Sequence, residues 1–323
     1  MPGIAPEQRV GRRLRFRDLQ VLFAVVECGS MAKAARQLGM TQPAVSDIIA
    51  ALEQLFSAPL FDRNPRGVEP TAYGKALLWR GRAAFDELKQ GIRDIEFLSD
   101  PTVGELRIGC PASVVSSVLS IAIERFSTQY PRVVVQFDEV TSPGKDFPSL
   151  RDRTHDIILA RIAQPLVGGD DLNIEILYQD PLVIVADAQS HWARRRKIKP
   201  ADLLDAPWIL TAPEASVYVS VADAFKEHGL PTPKVRLAAL SGLVRMSLLF
   251  RGPFVTALPK SMLGSNVARY SLKVLPVDMR IRGYPVAIVT LKNRILSPLV
   301  TPFLAQVRET AKTMIGGRQS DRS

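Results

Sequence analysis

The sequence predicts an α/β protein that opens with a small all-α unit, continues through one long helix and ends in alternating strands and helices. Three observations predict it. Residues 18–56 hold three short runs of helical periodicity, broken at Gly29 and Gly39. Residues 71–99 repeat apolar side chains at heptad spacing. From residue 104 onward, strand-like apolar runs alternate with amphipathic stretches, the pattern of sheets covered by helices. A chain of 323 residues has room for more than one domain, and 46% hydrophobic with 23% charged residues is a globular composition.

The first run, Asp18 to Cys28, places Leu19, Leu22, Phe23 and Val26 on one helical face, and Gly29 ends it. Ser30 is the expected N-cap of a second helix with Met31, Ala34, Ala35 and Leu38 inside. Gly39 stops that helix. Thr41 then caps a third, with Pro43 tolerated in its first turn and Val45, Ile48, Ile49 and Leu52 facing inward. Two helices joined by a tight glycine turn form a helix-turn-helix. The small alanines let the second helix pack closely on the third. That leaves Thr41, Gln42 and Ser46 on an exposed N-terminal face, where glutamine can read adenine in the major groove.

The stretch "PLFDRNPRGVEPTAYG" puts an Asn64-Pro65-Arg66-Gly67 turn between two short extended runs. It reads as a wing whose Arg63 and Arg66 suit phosphate or minor-groove contact. The long helix after it carries Leu78, Phe85, Leu88, Ile92 and Ile95 at a and d positions, with Gly81 the weak link. Such a seam predicts pairing with a partner helix, the alternative being packing on its own domain.

After a linker at Pro101–Gly104, the strand-like runs are "ELRIG", "VVVQFDEV", "DIILA", "NIEILY", "PLVIVA", "PWIL", "KVRLAA", "FVTAL", "SLKVLPV" and "PVAIVT". Helical stretches lie between them at "SVVSSVLSIAIERFSTQY", "FPSLRDR", Ser216–His228, "LVRMSLLF" and "KSMLGSNVARY". A last helix runs from about Pro298 to Met314. Such alternation predicts parallel sheets under helices.

Net charge +10 points to an anionic partner. No apolar run is long enough to span a bilayer and no secretory signal precedes the first helix, so the expected location is the cytoplasm, without membrane partners. Two cysteines, Cys28 and Cys110, exclude a disulfide framework. Cys110 is expected at the mouth of a cleft, as a small buried hydrophobe. His155, His191 and His228 share no metal-ligand spacing. His155 reads as a surface or hinge residue, and the run Arg194 to Lys199 as a solvated face. No Walker A, G-x-G-x-x-G or G-x-S-x-G motif occurs, so no catalytic residue, metal or cofactor is expected.

The pieces "GSMAKAARQLGMTQPAVS", "LE" and "PLFDRNPRGVEPT" stand in one register, and Phe16 to Gly74 resembles the winged helix-turn-helix of LysR-type transcriptional regulators. The remainder resembles the effector domain of that family, itself similar to periplasmic solute-binding proteins. The resemblance implies a DNA-binding domain at 1–70, a linker and dimerisation helix at 71–100, and an effector-binding domain at 101–323. The last is divided into lobe I (104–179 and 284–314) and lobe II (180–283). It implies a homodimer on an inverted-repeat, double-stranded operator and a dimer of dimers beyond that, with RNA polymerase as a further partner. The DNA-contacting set is then Ser30, Thr41, Gln42, Pro43, Ser46, Arg63 and Arg66.

The segment "IGCPAS" aligns Ser113 with a ligand-binding serine of the family, and Arg161 with a position where some relatives bind a second ligand. Thr141 and Ser142, one register step apart, and Thr211 follow strands that end at the same cleft. Each hydroxyl alone reads as a helix cap; their convergence with an arginine makes a site for a small organic anion. Three departures stand out: Ser57 in place of a glycine; Asp47, Ala50 and Ala51 where basic or amide groups are common; and Pro253 with Phe254 in place of Leu-Gly, expected to alter packing near the cleft. The alternative reading is a two-lobed solute-binding protein or an enzyme. The first needs an export signal, the second a catalytic constellation, and neither uses a wing or a paired helix.

Overall fold

The computed structural model describes residues 14–64, 67–140, 147–162, 169–213, 215–239, 241–263 and 271–316. The chain divides into two compact units, the first extending to Ile92 and the second beginning at Arg93.

The first unit holds α1 (Phe16–Cys28), α2 (Met31–Gln37), α3 (Gln42–Phe56), the strands β1 (Phe61–Asn64) and β2 (Gly67–Pro70), and most of α4 (Ala72–Ser99). Its core holds the predicted Leu22, Ala34, Val45 and Ile49, all fully buried, and adds Val25, whereas the expected Phe23 and Val26 are half-buried. Gly29 ends α1 at φ 61°, a left-handed position that favours glycine. The Thr41 hydroxyl accepts the Ala44 N–H at 3.4 Å and caps α3. Ser30 differs from expectation: its backbone is extended at the start of α2, but its hydroxyl makes no capping bond. Ser57 takes the left-handed role usually given to glycine, at φ 53°, and the Ala58 N–H still reaches the Glu53 carbonyl at 3.1 Å. A side chain there costs about 1 kcal/mol.

Gly81 is not a weak link. A Cβ there would lie 3.2 Å from Leu19 and 3.4 Å from the Phe23 ring, so the glycine lets α4 close onto α1. Phe85 packs edge-on against Phe16 and Phe23 at 5.8 and 5.9 Å.

The second unit has two five-stranded sheets. In sheet I the order is β4 (Arg132–Glu139), β3 (Val103–Cys110), β5 (Ile157–Arg161), β12 (Val286–Leu291) and β6 (Leu172–Tyr178). In sheet II it is β11 (Leu272–Val274), β7 (Leu182–Asp187), β10 (Val255–Pro259), β8 (Trp208–Leu210) and β9 (Val235–Ala238). The sheets are mixed, which corrects the expectation of parallel sheets. Strand β12 runs antiparallel to β5 and β6, and β7 antiparallel to β10 and β11. Apolar alternation does not encode strand direction; the chain reverses wherever it crosses between sheets.

Helix α5 (Ser120–Gln129) and α9 (Val300–Gly316) pack on sheet I, where Phe126 meets Phe303 at 5.2 Å. The helix expected from Ser113 is not uniform: Ala112–Val114 leads into a π-turn at Val115–Leu119 before α5. A short α6 (Pro148–Arg151) follows β4. On sheet II, α7 (Ser216–Glu227) covers one core with Trp208 and Phe225, and α8 (Gly242–Leu249) covers another with Val185 and Leu258. Of the helix expected at 260–270, the described part is one 3-10 turn, Lys260–Leu263.

The chain leaves sheet I after Tyr178, enters sheet II at Leu182, and returns between Val274 and Val286. The two crossings touch at Gly283, where a Cβ would meet the Asp180 carbonyl oxygen at 1.7 Å. Only glycine fits there.

Candidate functional site

Two surfaces gather the predicted residues. The first is the start of α3. Val45, Ile49 and Leu52 point into the core, so Thr41, Gln42 and Pro43 are exposed and Ser46 is half-buried one turn on. Side chains three and four apart share a face, so Gln42 and Ser46 lie together. Ser30 is half-buried at the start of α2. Arg63 sits on β1 opposite Val68, with its side chain outside the described residues; Arg66 lies outside them entirely.

The wing is bolted to this surface by groups to which sequence reasoning gave no role. The Glu53 carboxylate, on the last turns of α3, accepts the Leu60 and Phe61 N–H groups at 2.8 and 3.3 Å. The Thr71 hydroxyl donates to the Pro59 carbonyl at 2.7 Å and accepts the Gly74 N–H at 3.1 Å, capping α4. The Val68 N–H reaches the Gly29 carbonyl at 3.1 Å. Both Glu53 and Thr71 fall inside the motif segments, but nothing in their local pattern announces a bond to a backbone that follows or precedes by seven residues or more.

The linker seam divides. Leu78 is buried in the core of its own unit, and Phe85 is held between Phe16 and Phe23. Both make contacts within their own chain. Leu88, Ile92 and Ile95 are 49%, 58% and 66% exposed, and Leu98 continues their stripe.

The second surface is where strand ends of sheets I and II meet the crossings. Strands β3 and β5 are parallel, so Ser113, just past β3, and Arg161, closing β5, stand at the same edge. They touch: Arg161 Nε donates to Ser113 Oγ at 2.9 Å. Arg161 Nη1 reaches the Tyr284 carbonyl at 3.4 Å, and Nη2 the Asp180 carboxylate at 2.8 Å. Asp180 lies on the first crossing and is fully buried. It also accepts the Ser261 N–H at 2.8 Å and the Ser261 hydroxyl at 2.5 Å, and Ser261 follows β10 of sheet II. One connected network thus runs from sheet I through the crossing to sheet II. Asp180 and Ser261 were not anticipated; a lone acid in "YQDP" has no local signature.

Thr211 is buried just past β8, and its hydroxyl has no partner; the Tyr178 hydroxyl at the end of β6 is likewise buried. Burial pushes the Tyr178 phenol above its ordinary range. Thr141 and Ser142 lie outside the described residues. A cavity of about 700 Å³ runs beside the crossings, lined by Gln179, Ser220, Arg282 and Tyr284 among others. A second of about 570 Å³ follows the β9 edge and includes Thr211, Tyr218 and Arg236.

Three expectations are corrected. Cys110 is the small buried hydrophobe expected, but it lies fully enclosed in the sheet I core rather than open at a cleft mouth, and burial pushes its thiol up. His155 is buried, with Nε2 3.0 Å from Asp138. Pro253 and Phe254 precede β10, at the end opposite the strand termini that face Asp180. The Pro253 carbonyl there accepts the Trp192 indole N–H at 3.2 Å. Among the described residues no cluster of His, Cys, Asp or Glu could hold a metal ion. No described helix is long and apolar enough to cross a membrane.

An N-terminal helix-turn-helix with a braced wing and a two-sheet domain joined by two crossings define a ligand-responsive DNA-binding protein. Comparison with known families agrees. The description "Bacterial regulatory helix-turn-helix protein, lysR family" matches residues 16–75, and "LysR substrate binding domain" matches residues 99–312. The chain belongs to the LysR family of DNA-binding transcriptional regulators with an effector-binding domain. It is similar to the regulator GbpR of Azospirillum brasilense, 25% identical over 305 residues, covering 93% of this chain and 88% of that one. It is also similar to the dual regulator GltC of Bacillus subtilis (strain 168), 28% identical over 295 residues, 90% of this chain and 95% of that one. The solved structure of full-length CbnR complexed with its target DNA shares the fold, with TM-score 0.64 at 22% identity, over 92% of this chain and 100% of that one.

Proposed function

We propose that the protein regulates transcription in the cytoplasm as a homodimer, assembled further into a homotetramer, on double-stranded operator DNA. Residues 1–70 bind DNA, 71–100 pair, and 101–323 bind a small organic anion between lobe I (104–179, 284–314) and lobe II (180–283). Gln42 and Ser46 read bases. Ser30, Thr41, Pro43, Arg63 and Arg66 hold the backbone. The exposed stripe Leu88, Ile92 and Ile95 supports pairing of α4, since three large apolar side chains at heptad spacing cover one another cheaply. Ser113, Arg161 and Thr211, with Thr141 and Ser142, line the effector site, and RNA polymerase receives the output. No catalytic step enters this reading.

The observation that carries it is the start of α3, where Gln42 is solvent-exposed on a helix whose far end is braced to the wing through Glu53. In this reading Gln42→Ala weakens operator binding by about 1–3 kcal/mol and leaves random-sequence affinity unchanged. Fluorescence anisotropy on both DNAs measures it. Equal losses on the two would remove base reading from Gln42.

A further inference from the structure

Several arginines of the second unit face carboxylates. Arg107 and Arg294 serve Asp156, Arg161 serves Asp180, Arg132 serves Asp100, and Arg308 serves Glu175. Arg245 does not. Its Nε and Nη1 are shut off from solvent and have no hydrogen-bond partner. The residue as a whole is half-buried, but a guanidinium has no neutral form to retreat to, so two enclosed N–H groups without an acceptor are a standing cost.

Its place in the fold is specific. Strand β10 ends where the Ser261 N–H and hydroxyl bind Asp180, so the C-terminal end of β10 is the edge that faces the crossings. Strand β8 is parallel to β10, and β9 to β8, so their C-terminal ends share that edge. Thr211 follows β8 there. The Ala239 N–H, just past β9, bonds the Leu210 carbonyl at 2.9 Å, and Ser241, two residues on, caps α8 by accepting the Val244 N–H at 3.4 Å. Helix α8 therefore starts beside Thr211. Arg245 is in its first turn and shares a face with Leu249, four residues on, which is fully buried against sheet II with Val185 and Leu258. Thr211 is 7% exposed and its hydroxyl is unbonded. A cation at a helix N-terminus also opposes the helix dipole, so the same position lacks a negative charge on two counts.

We infer that Arg245 and Thr211, at the start of α8, form the lobe II half of the effector site and receive an oxyanion, the carboxylate or phosphate of the effector. This rests on the reading that an effector binds between the lobes, and it moves the charge recognition from Arg161 to Arg245. Arg161 already has an internal carboxylate in Asp180; Arg245 has none. An oxyanion that accepts from Arg245 and Thr211 in lobe II, and approaches Ser113 in lobe I, favours one lobe angle over others, which is what a ligand needs to alter the DNA-bound state.

Thermal unfolding of the full-length protein tests it, with inorganic phosphate and with citrate as probes against chloride at matched ionic strength. A ligand that binds only the folded state raises Tm. The wild type is expected to respond to at least one probe, and the stronger response identifies the group as phosphate or carboxylate. Arg245→Gln is expected to lose the response, and Arg245→Lys to keep part of it. Without either probe, Arg245→Met is expected to unfold at a higher temperature than wild type, because a buried charge leaves and no partner is stranded. A wild type blind to both probes overturns the inference, as does an Arg245→Met variant with a lowered Tm. If Arg245→Gln responds like wild type and Ser113→Ala does not, Arg245 is wrong and the interlobe site stands. If both variants respond like wild type, the interlobe site falls with it.

Discussion

The two ends of sheet I each bury an arginine on an aspartate, and the pairs differ in what they join. At the strand starts, Asp156 accepts from Arg107 at the backbone N–H (3.0 Å), Nε (3.3 Å) and Nη2 (2.8 Å), and from Arg294 Nη2 at 2.9 Å. Arg294 also donates to the His155 carbonyl at 2.6 Å. All of these groups belong to sheet I or its immediate loops. At the strand ends, Arg161 meets Asp180 on a crossing, and Asp180 meets Ser261 beyond sheet II. The first pair ties strands that never separate. The second ties sheet I to a crossing and, through Ser261, to sheet II. The same chemistry is a rivet at one end and a latch at the other.

The largest expected effect is at the rivet. Asp156→Asn leaves two buried guanidinium groups on a neutral amide, and breaking a buried pair from one side costs about 3–5 kcal/mol. Urea unfolding of the full chain measures it, and adding Arg294→Met is expected to return part of the loss. The acid limb gives a second readout. Burial would raise the Asp156 pKa, but the hydrogen bonds and charges of Arg107, with the charge of Arg294, outweigh it and hold the carboxyl below its ordinary value. A folded pKa below the unfolded value, about 3.9, stabilises the protein above that pH and gives the stabilisation up as pH falls through the folded pKa. The Asn variant is therefore expected to lose less stability than wild type on acidification. An unchanged acid limb would detach Asp156 from it.

At the latch the same substitution should cost less. Asp180→Asn keeps an oxygen for Ser261 but loses the charge facing Arg161, a loss of about 2 kcal/mol. The double variant with Arg161→Met should recover much of it, because no buried charge is then stranded. Only the latch variants should alter the Tm response to phosphate or citrate. Equal costs at Asp156 and Asp180, with that response intact, would make both pairs rivets.

How much of this was legible in the sequence follows from the same contrast between local and distant contacts. Gly29, Thr41 and the buried face of α3 were readable because a helix end and its face are set by residues within one turn. Ser113 and Arg161 were expected at one cleft, and the structure puts them 2.9 Å apart. The second partner of Arg161, Asp180, was invisible, since its neighbours arrive from positions 161 and 261. Arg245 in "LVRMSLLF" looked like the polar face of an amphipathic helix, and only its burial without an acceptor sets it apart. Phe85 fitted a heptad as well as it fits the pocket between Phe16 and Phe23, because spacing alone does not say which neighbour covers a side chain. Sheet direction was lost for a related reason: side-chain alternation is the same in parallel and antiparallel strands.

The smallest effect in the comparison is also the most discriminating. Ser113→Ala removes the acceptor of Arg161 Nε and nothing else from the latch, because Nη1 and Nη2 keep the Tyr284 carbonyl and Asp180. One donor of the buried Arg161 loses its acceptor at the half-buried Ser113 position, which costs about 1 kcal/mol. Unfolding in urea should therefore barely separate the variant from wild type, whereas its Tm response to the oxyanion probes should fall several-fold if Ser113 meets the effector. A rivet behaves the other way round, since stability would drop and ligand response would follow only as the protein unfolds. A Ser113→Ala protein that loses stability by as much as Asp180→Asn, yet responds to phosphate and citrate like wild type, would make Ser113 a structural partner of Arg161 and leave lobe I without its contact to the ligand.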